Sequence, residues 1–360
     1  MLSYACGHCG RLVFFENTIC LHCSTPLGFV AEELDLVVLE GERASALHRC
    51  ANAALAACNW MVSRAGELCR SCALTRTRPN DADGDGLARF VTAEQAKRRV
   101  IMQLLELRLP GVQPGQLAFD LLSSAHEPVL TGHADGVITI DLAESDDARR
   151  EARRQELGEP YRTMLGHLRH ELGHYFQPLI VTSEADWAQC RELFGDERGD
   201  YQAALDRHYH REMPNDWAER YVSAYATMHP WEDWAETFAH YLHIRDTVQT
   251  ASEYGVSVSG PRAVDFDRSL KVTPQPDAGE RAFAELLDAW LPLTYALNAV
   301  NRSMGRDDLY PFTLAPPVIA KLEYVHERVH AAGQPAGRGS SVTNSMSSAS
   351  CQSGPSGSRS

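Results

Sequence analysis

The chain has 360 residues, of which 44% are hydrophobic and 23% are charged, so it can bury a sizeable core and has the composition of a folded protein. Its formal net charge of -14 disfavours nucleic-acid binding over most of the surface. No run of about 18 apolar residues occurs, so neither a transmembrane helix nor a membrane partner is expected. The N-terminus lacks a charged leader followed by an apolar stretch, so we expect a cytoplasmic protein.

The first cysteine cluster consists of two Cys-x-x-Cys pairs separated by ten residues. Its members are Cys6, Cys9, Cys20 and Cys23. In a cytoplasmic protein such pairs are more often metal ligands than disulfides. Each pair offers two thiolates from one tight turn, and four thiolates suit the tetrahedral geometry of structural zinc. The spacing therefore predicts a zinc ribbon over residues 1–30.

A second cysteine cluster follows an acidic linker that contains a strand-like run, Leu36–Leu39. Its members are Cys50, Cys58, Cys69 and Cys72. Only the last two form a Cys-x-x-Cys pair, yet four cysteines in so short a segment predict a second structural zinc within residues 45–79. Two alternatives stay open: the ligands could interleave between the clusters, or His22 or His48 could replace a cysteine.

Residues 43–79 are basic inside an acidic chain, with six arginines and a single carboxylate. Nucleic acid is not the expected partner, but this segment is where such a partner, or a protein, could bind. Next comes the loop Asn80–Gly86, whose Asp and Gly residues open like an EF-hand calcium loop. The twelfth position of that motif is Thr92 and not a bidentate glutamate, so we favour a solvated loop over a calcium site.

The rest of the chain reads as helices with a few strands. A helix is predicted over Thr92–Leu109, followed by strands over Leu117–Leu122 and Val137–Leu142 and then by helices as far as residue 332. The second strand is a candidate edge for docking an extended peptide, and a plain core strand is about as consistent with it. Residues 333–360 are rich in Ser, Gly and Pro and predict a disordered tail. The expected fold class is α+β and helix-dominated, with a small antiparallel sheet in a domain over residues 92–332.

Residues 161–177 predict an amphipathic helix that carries a metal-binding motif. Its apolar stripe is formed by Tyr161, Leu165, Leu168, Leu172 and Phe176. His170 and His174 lie one turn apart on one face, where both imidazoles can reach one metal ion. Glu171 adjoins the first histidine and is placed to accept a proton from activated water. His167 shares this face, but three ligands from one helix surround a metal poorly, so we expect it at the surface or beside a ligand.

A catalytic zinc needs a third protein ligand from another element. Residues 229–243 predict a second helix, on which Glu232 and Glu236 lie one turn apart. We choose Glu232 as the third ligand and Glu236 as the carboxylate that orients a ligand histidine. The spacing alone also allows the reverse assignment.

The HELGH helix followed by a glutamate-bearing helix resembles the gluzincin metallopeptidases. The segment Pro230–Ala235 is similar to a subgroup in which a tyrosine seven residues before the ligand glutamate assists catalysis, and Tyr225 occupies that position here. Tyr221 is the alternative, and Asp233 departs from the aromatic common in the subgroup. With the N-terminal cysteines, residues 1–330 resemble a bacterial family of zinc-binding metallopeptidases with an N-terminal zinc-ribbon region. The resemblance implies a zincin-like catalytic domain.

The expected function is hydrolysis of peptide bonds in a peptide or protein substrate. Zinc held by His170, His174 and Glu232 would activate water, with Glu171 as the general base and the Tyr225 hydroxyl helping to stabilise the oxyanion. We expect three zinc ions per chain, one catalytic and two structural. The alternative is an inactive zinc protein that grips a protein or nucleic acid through its basic cysteine module; the intact Glu171 speaks against it.

Overall fold

The computed structural model describes residues 1–125, 127–146, 163–210, 216–260 and 271–334, with backbone only at 208–210. Tyr161, Cys351 and nearly all of the predicted disordered tail lie outside these ranges. The α-helices are α1 (Gly41–Ala46), α2 (Gly84–Glu106), α3 (Met164–Ile180), α4 (Glu184–Phe194), α5 (Tyr201–His210), α6 (Pro230–Glu253), α7 (Phe283–Ser303) and α8 (Pro316–Gly333). No helix in the described ranges combines the length and the apolar character needed to cross a membrane.

The strands are short and form several small sheets. They are β1 (Tyr4–Ala5), β2 (Leu12–Val13), β3 (Leu27–Val30), β4 (Asp35–Val38), β5 (His48–Arg49), β6 (Met61–Val62), β7 (Thr75–Thr77), β8 (Ala118–Leu122), β9 (Gly132–Ala134), β10 (Val137–Asp141), β11 (Val258–Ser259) and β12 (Lys271–Val272). Antiparallel pairs join β1 to β2, β3 to β4, β5 to β6 and β11 to β12. The expected helix-dominated α+β class with small antiparallel sheets is confirmed.

The largest sheet has the strand order β7-β8-β10-β9 and is mixed. β8 pairs in parallel with both β7 and β10, and only β9 runs antiparallel. The expectation of an antiparallel sheet in the catalytic domain is therefore wrong for this sheet. Parallel neighbours need a connection of about a dozen or more residues, and both pairs have one: α2 separates β7 from β8, and the segment that contains β9 separates β8 from β10. The edge assignment of Val137–Leu142 is also wrong: β10 is paired on both sides, and β9 forms that edge of the sheet.

The two cysteine segments pack against each other through buried aromatic rings. Phe29 packs against both Phe15 and Trp60, with ring centroids 4.9 Å away in each case. The Phe29 amide donates to the Asn59 carbonyl at 2.9 Å, and the Asn59 side chain donates to the Phe15 carbonyl. These rings belong to the same hydrophobic core as the helices that follow.

Helix α2 begins eight residues earlier than predicted. The Asp83 side chain accepts a hydrogen bond from the Gly86 amide at 2.8 Å and caps the helix. The predicted solvated loop Asn80–Gly86 is thus partly the first turn of α2, because an aspartate that caps a helix resembles a loop residue in sequence.

Helix α2 connects the cysteine segments to the central helices. In its middle, Glu94 and Lys97 are fully buried and form an ion pair at 2.6 Å, with Glu94 3.9 Å from the Cys72 sulfur. Nearer its end, Gln103 donates to the Leu242 carbonyl on α6 and accepts from Arg169 on α3, both at 3.0 Å. The same helix therefore contacts the second cysteine cluster and both helices of the predicted site.

Helices α3 and α6 approach closely at Gly173. A Cβ atom on this glycine would lie 2.8 Å from the Ala235 Cα atom, a distance that real Cβ contacts do not reach. The Trp234 indole N–H also donates to the Gly173 carbonyl at 2.9 Å. The α6 backbone therefore approaches α3 so closely at this position that no side chain fits between the two helices.

Candidate metal centre

Helix α3 places the two motif histidines side by side. The Thr163 side chain caps the helix by accepting from the Gly166 amide at 2.9 Å. Both imidazoles are buried, and their Nε2 atoms lie 3.2 Å apart. Residues four apart share a helical face, so this meeting follows from their spacing.

Helix α6 brings Glu232 to the same point. Its Oε2 atom lies 2.9 Å from His170 Nε2 and 3.3 Å from His174 Nε2. Ligand atoms about 2.0–2.2 Å from a tetrahedral zinc ion are separated by roughly 3.3–3.5 Å. The observed separations of 2.9–3.3 Å are close to these values or slightly below them, so the two imidazole nitrogens and the carboxylate oxygen fit a zinc ion after a small outward shift. Burial would raise the pKa of Glu232, but the two histidines lower it well below its usual range and keep the carboxylate ionised.

Glu236 occupies the other side of the first histidine. His170 Nδ1 donates to Glu236 Oε1 at 2.6 Å, which leaves the Nε2 lone pair directed toward His174 and Glu232. The Ser223 hydroxyl donates to the second Glu236 oxygen at 2.6 Å. The structure thus places Glu232 beside both Nε2 atoms and Glu236 behind His170, the arrangement preferred from sequence over its reverse.

Glu171 is buried beside the three converging residues. Its Oε1 atom accepts from His167 Nε2 at 3.1 Å, and its Oε2 atom has no hydrogen-bond partner among the described residues. Burial would raise the pKa of Glu171, but the neighbouring histidines, His167 first, lower it. One carboxylate oxygen is therefore held while the other can accept a proton.

Of the two candidate tyrosines, Tyr225 approaches the same point. Tyr225 lies in a 3₁₀ turn, Tyr225–Thr227, with its ring centroid 5.8 Å from that of His170. Burial, followed by the charge of Glu232, raises the pKa of Tyr225, so its hydroxyl stays protonated. The alternative, Tyr221, instead stacks under the Lys321 ammonium group, 4.4 Å from its ring centroid.

Sequence reasoning missed Tyr201 on α5. Its hydroxyl donates to Glu232 Oε1 at 2.8 Å, so each oxygen of that carboxylate has a different neighbour. Tyr201 is 31 residues before Glu232, and no periodicity relates the two. Only the folded arrangement of α5 against the start of α6 identifies it.

The eight N-terminal cysteines form two separate groups of four. In each group the sulfur atoms all lie within 4.8 Å of one another, and neither group includes His22 or His48. The structure therefore groups the cysteines without interleaving. Cys190 is a buried thiol that belongs to neither group, and burial raises its pKa to about 12.

The basic segment 43–79 is largely neutralised by its surroundings. Carboxylates pair with four of its six arginines: Arg43 with Glu33, Arg64 with Glu67, Arg76 with Asp120 and Arg78 with Asp81. An arginine already paired with a carboxylate offers little net charge to a phosphate backbone. This arrangement does not favour nucleic acid as the partner of this segment.

Two family models match most of the chain. Residues 86–328 match the model of a family described as "Putative zinc-binding metallo-peptidase". The chain belongs to this zinc-binding metallopeptidase family. Residues 3–83 match a zinc-ribbon domain, and that single match spans both cysteine groups.

Relatives of this family member occur in mycobacteria. Uncharacterized proteins of Mycobacterium bovis and of two Mycobacterium tuberculosis strains are each 50% identical to it over 334 residues, covering 91% of this chain and 94% of the relative. No solved structure matches the chain. The family expected from sequence, with its N-terminal zinc-ribbon region, is confirmed, and zinc binding is a property of the family.

Proposed function

We propose that the protein is a zinc metallopeptidase of the HExxH gluzincin type that hydrolyses peptide bonds in a peptide or protein substrate. The observation that carries the proposal is the convergence of His170, His174 and Glu232 within 2.9–3.3 Å of one another, with Glu171 alongside. Three protein ligands are typical of catalytic zinc, whereas structural zinc is enclosed by four. Two further zinc ions would occupy the cysteine groups. The enzyme would work in the cytoplasm, where thiols stay reduced.

Each residue of the site has a distinct role in this proposal. Bound zinc would activate a water molecule and polarise the substrate carbonyl. Glu171 would accept the proton of that water on Oε2, the oxygen that no described residue bonds, and pass it to the leaving amine. Tyr225 would donate its hydroxyl proton in a hydrogen bond to the developing oxyanion, since its raised pKa keeps that proton in place.

Strand β9 offers a place for an extended substrate. It ends the four-stranded sheet and pairs only with β10 among the described strands. Its central residue, His133, has its ring 5.8 Å from that of Tyr175, which adjoins His174 on α3. A peptide that adds to this edge would use main-chain hydrogen bonds and would run beside the proposed ligands.

The Glu171→Gln variant tests the proposal because it keeps the shape of the side chain and removes the base. Zinc content and thermal stability should stay near wild type, while hydrolysis of a mixed peptide library should fall about 10²–10⁴-fold. Tyr225→Phe should cost less, roughly 10–10³-fold, because zinc still stabilises the oxyanion. Glu253→Gln, at the far end of α6, is the control for loss of a carboxylate.

Two results would overturn the proposal. Equal hydrolysis by wild type and Glu171→Gln would show that Glu171 is not the general base. If the purified, metal-replete protein holds zinc only in its cysteine groups, the proposed catalytic zinc site is wrong. That result would favour the alternative of an inactive zinc protein.

A further inference from the structure

His167 joins two carboxylates that come from different parts of the fold. Its Nδ1 atom lies 2.6 Å from Glu144 Oε2, and its Nε2 atom lies 3.1 Å from Glu171 Oε1. Both carboxylates are more than nine-tenths buried, and the imidazole side chain is 14% exposed. The three side chains form a continuous hydrogen-bonded row that ends at the proposed general base.

The outer carboxylate is fixed by the sheet and not by α3. Glu144 lies in a 3₁₀ turn, Leu142–Ser145, directly after the central strand β10. The Asp141 side chain accepts from the Ala143 amide at 2.9 Å and holds this turn against the end of the strand. Glu144 therefore gives His167 a partner whose position does not depend on the helix that carries His167 and Glu171.

The chemistry of the row determines where its protons are. Ionised carboxylates only accept hydrogen bonds, so an imidazole between two of them bonds both only when both nitrogens carry hydrogen. Burial would lower the pKa of His167, but Glu144 and Glu171 together raise it to about 9. At neutral pH His167 is then an imidazolium that donates to both carboxylates, and these charge-assisted bonds are stronger than neutral ones.

We propose that His167, held by Glu144, is a positioning residue that fixes Oε1 of Glu171 and so presents Oε2 to the reacting water. The inference rests on the proposed function, because it assigns a support to the base of that reaction. A glutamate side chain has three rotatable bonds and would otherwise sample several rotamers. Misplacing a catalytic group by about 1 Å can lower a rate about 10²-fold.

The test compares His167→Phe, which removes both donors, with His167→Gln, which keeps one amide donor for Glu171. Peptide hydrolysis by the zinc-loaded protein should show kcat lowered about 10–10²-fold by the phenylalanine, with KM within about twofold. His167→Gln should recover part of this loss. The kcat of Glu144→Gln should lie between that of His167→Gln and that of wild type. His326→Gln is the matched control, since His326 is also buried but bonds the Arg281 carbonyl and belongs to neither the row nor the proposed metal centre.

Binding of acetohydroxamate supplies a readout that needs no turnover. A hydroxamic acid chelates zinc as its anion and gives its proton to a neighbouring base, so its affinity reports the placement of Glu171. Calorimetric titration of the zinc-loaded variants should show affinity reduced about tenfold or more by His167→Phe and partly restored by His167→Gln. Zinc content should stay at the wild-type value in every variant.

The outcomes separate this inference from the proposed function. If His167→Phe hydrolyses peptides and binds acetohydroxamate as wild type does, the positioning role is wrong and the peptidase assignment stands. If His167→Phe loses the third zinc, His167 serves metal retention, and the positioning role is again wrong. If Glu171→Gln changes neither readout, Glu171 is not the base, and the role of His167 in positioning it is wrong as well.

Discussion

Gly173 lets α3 and α6 approach each other next to the proposed metal ligands. In Gly173→Ala, the new Cβ would start 2.8 Å from Ala235 Cα and 3.1 Å from its carbonyl oxygen. Non-bonded carbon atoms are most stable about 3.5–4.0 Å apart. The helices must therefore separate by roughly 0.7 Å or more to accept one methyl group.

This separation should lower the stability of the fold only slightly but should weaken zinc binding strongly. Alanine is the better helix former by about 0.8–1 kcal/mol, whereas overpacking a core costs about 1–3 kcal/mol. The free energy of unfolding should therefore fall by only about 0–2 kcal/mol. A metal site tolerates ligand shifts of about 0.2 Å, so moving His174 on α3 away from Glu232 on α6 should weaken zinc binding on the order of 10–100-fold.

Two measurements check this expectation: thermal unfolding, and competition for the third zinc with a chelator. Gly84→Ala is the matched control, because Gly84 opens α2 and a Cβ there would meet nothing within 4 Å. It should leave zinc affinity unchanged and either preserve or slightly raise stability. Wild-type zinc affinity in Gly173→Ala would refute the claim that this contact sets the distance between the ligand helices.

Two further predictions concern the cysteine region and the C-terminal helix. Changing Cys6 and Cys20 together to Ser should remove one zinc of the expected three, as counted by elemental analysis, and should unfold the N-terminus without removing the metal between α3 and α6; loss of all three would contradict separate sites. Lys321→Met should destabilise the protein by about 3–5 kcal/mol in denaturant unfolding, because it leaves buried Asp233 without the ammonium group 2.6 Å away. Adding Asp233→Asn should restore part of that loss, and a double variant no more stable than the single one would argue against the ion pair.

The parts of the site that sequence predicted are those encoded by local spacing. His170 and His174 share a helical face because they are four residues apart, and the same rule separates Glu232 from Glu236 by one turn. Spacing alone left the choice between Glu232 and Glu236 open, since two carboxylates one turn apart are equivalent by spacing. The packing of α6 on α3 at Gly173 places Glu232 beside the Nε2 atoms of His170 and His174.

The parts that sequence missed depend on contacts between distant segments. Glu144 reaches His167 from the end of a strand, and Tyr201 reaches Glu232 from a separate helix, so no periodic pattern marks either residue. The parallel strands were missed because the apolar pattern of a strand does not show which strand it pairs with or in which direction. Asp233 departs from the family resemblance for a physical reason: it is the buried partner of Lys321.

The buried charges on α2 have a consequence for how this protein can change over evolution. Glu94 and Lys97 find partners at Cys72 and Thr75, on the cysteine side of the interface, while Gln103 on the same helix bonds Arg169 next to His170. A chain deprived of its first 83 residues would keep the charges but lose those partners. The zinc-ribbon region is therefore not an interchangeable accessory. A substitution on the surface of the zinc-ribbon region that contacts α2 requires a compensating substitution on α2. The zinc-ribbon region and the helical domain should therefore be inherited and altered as one unit.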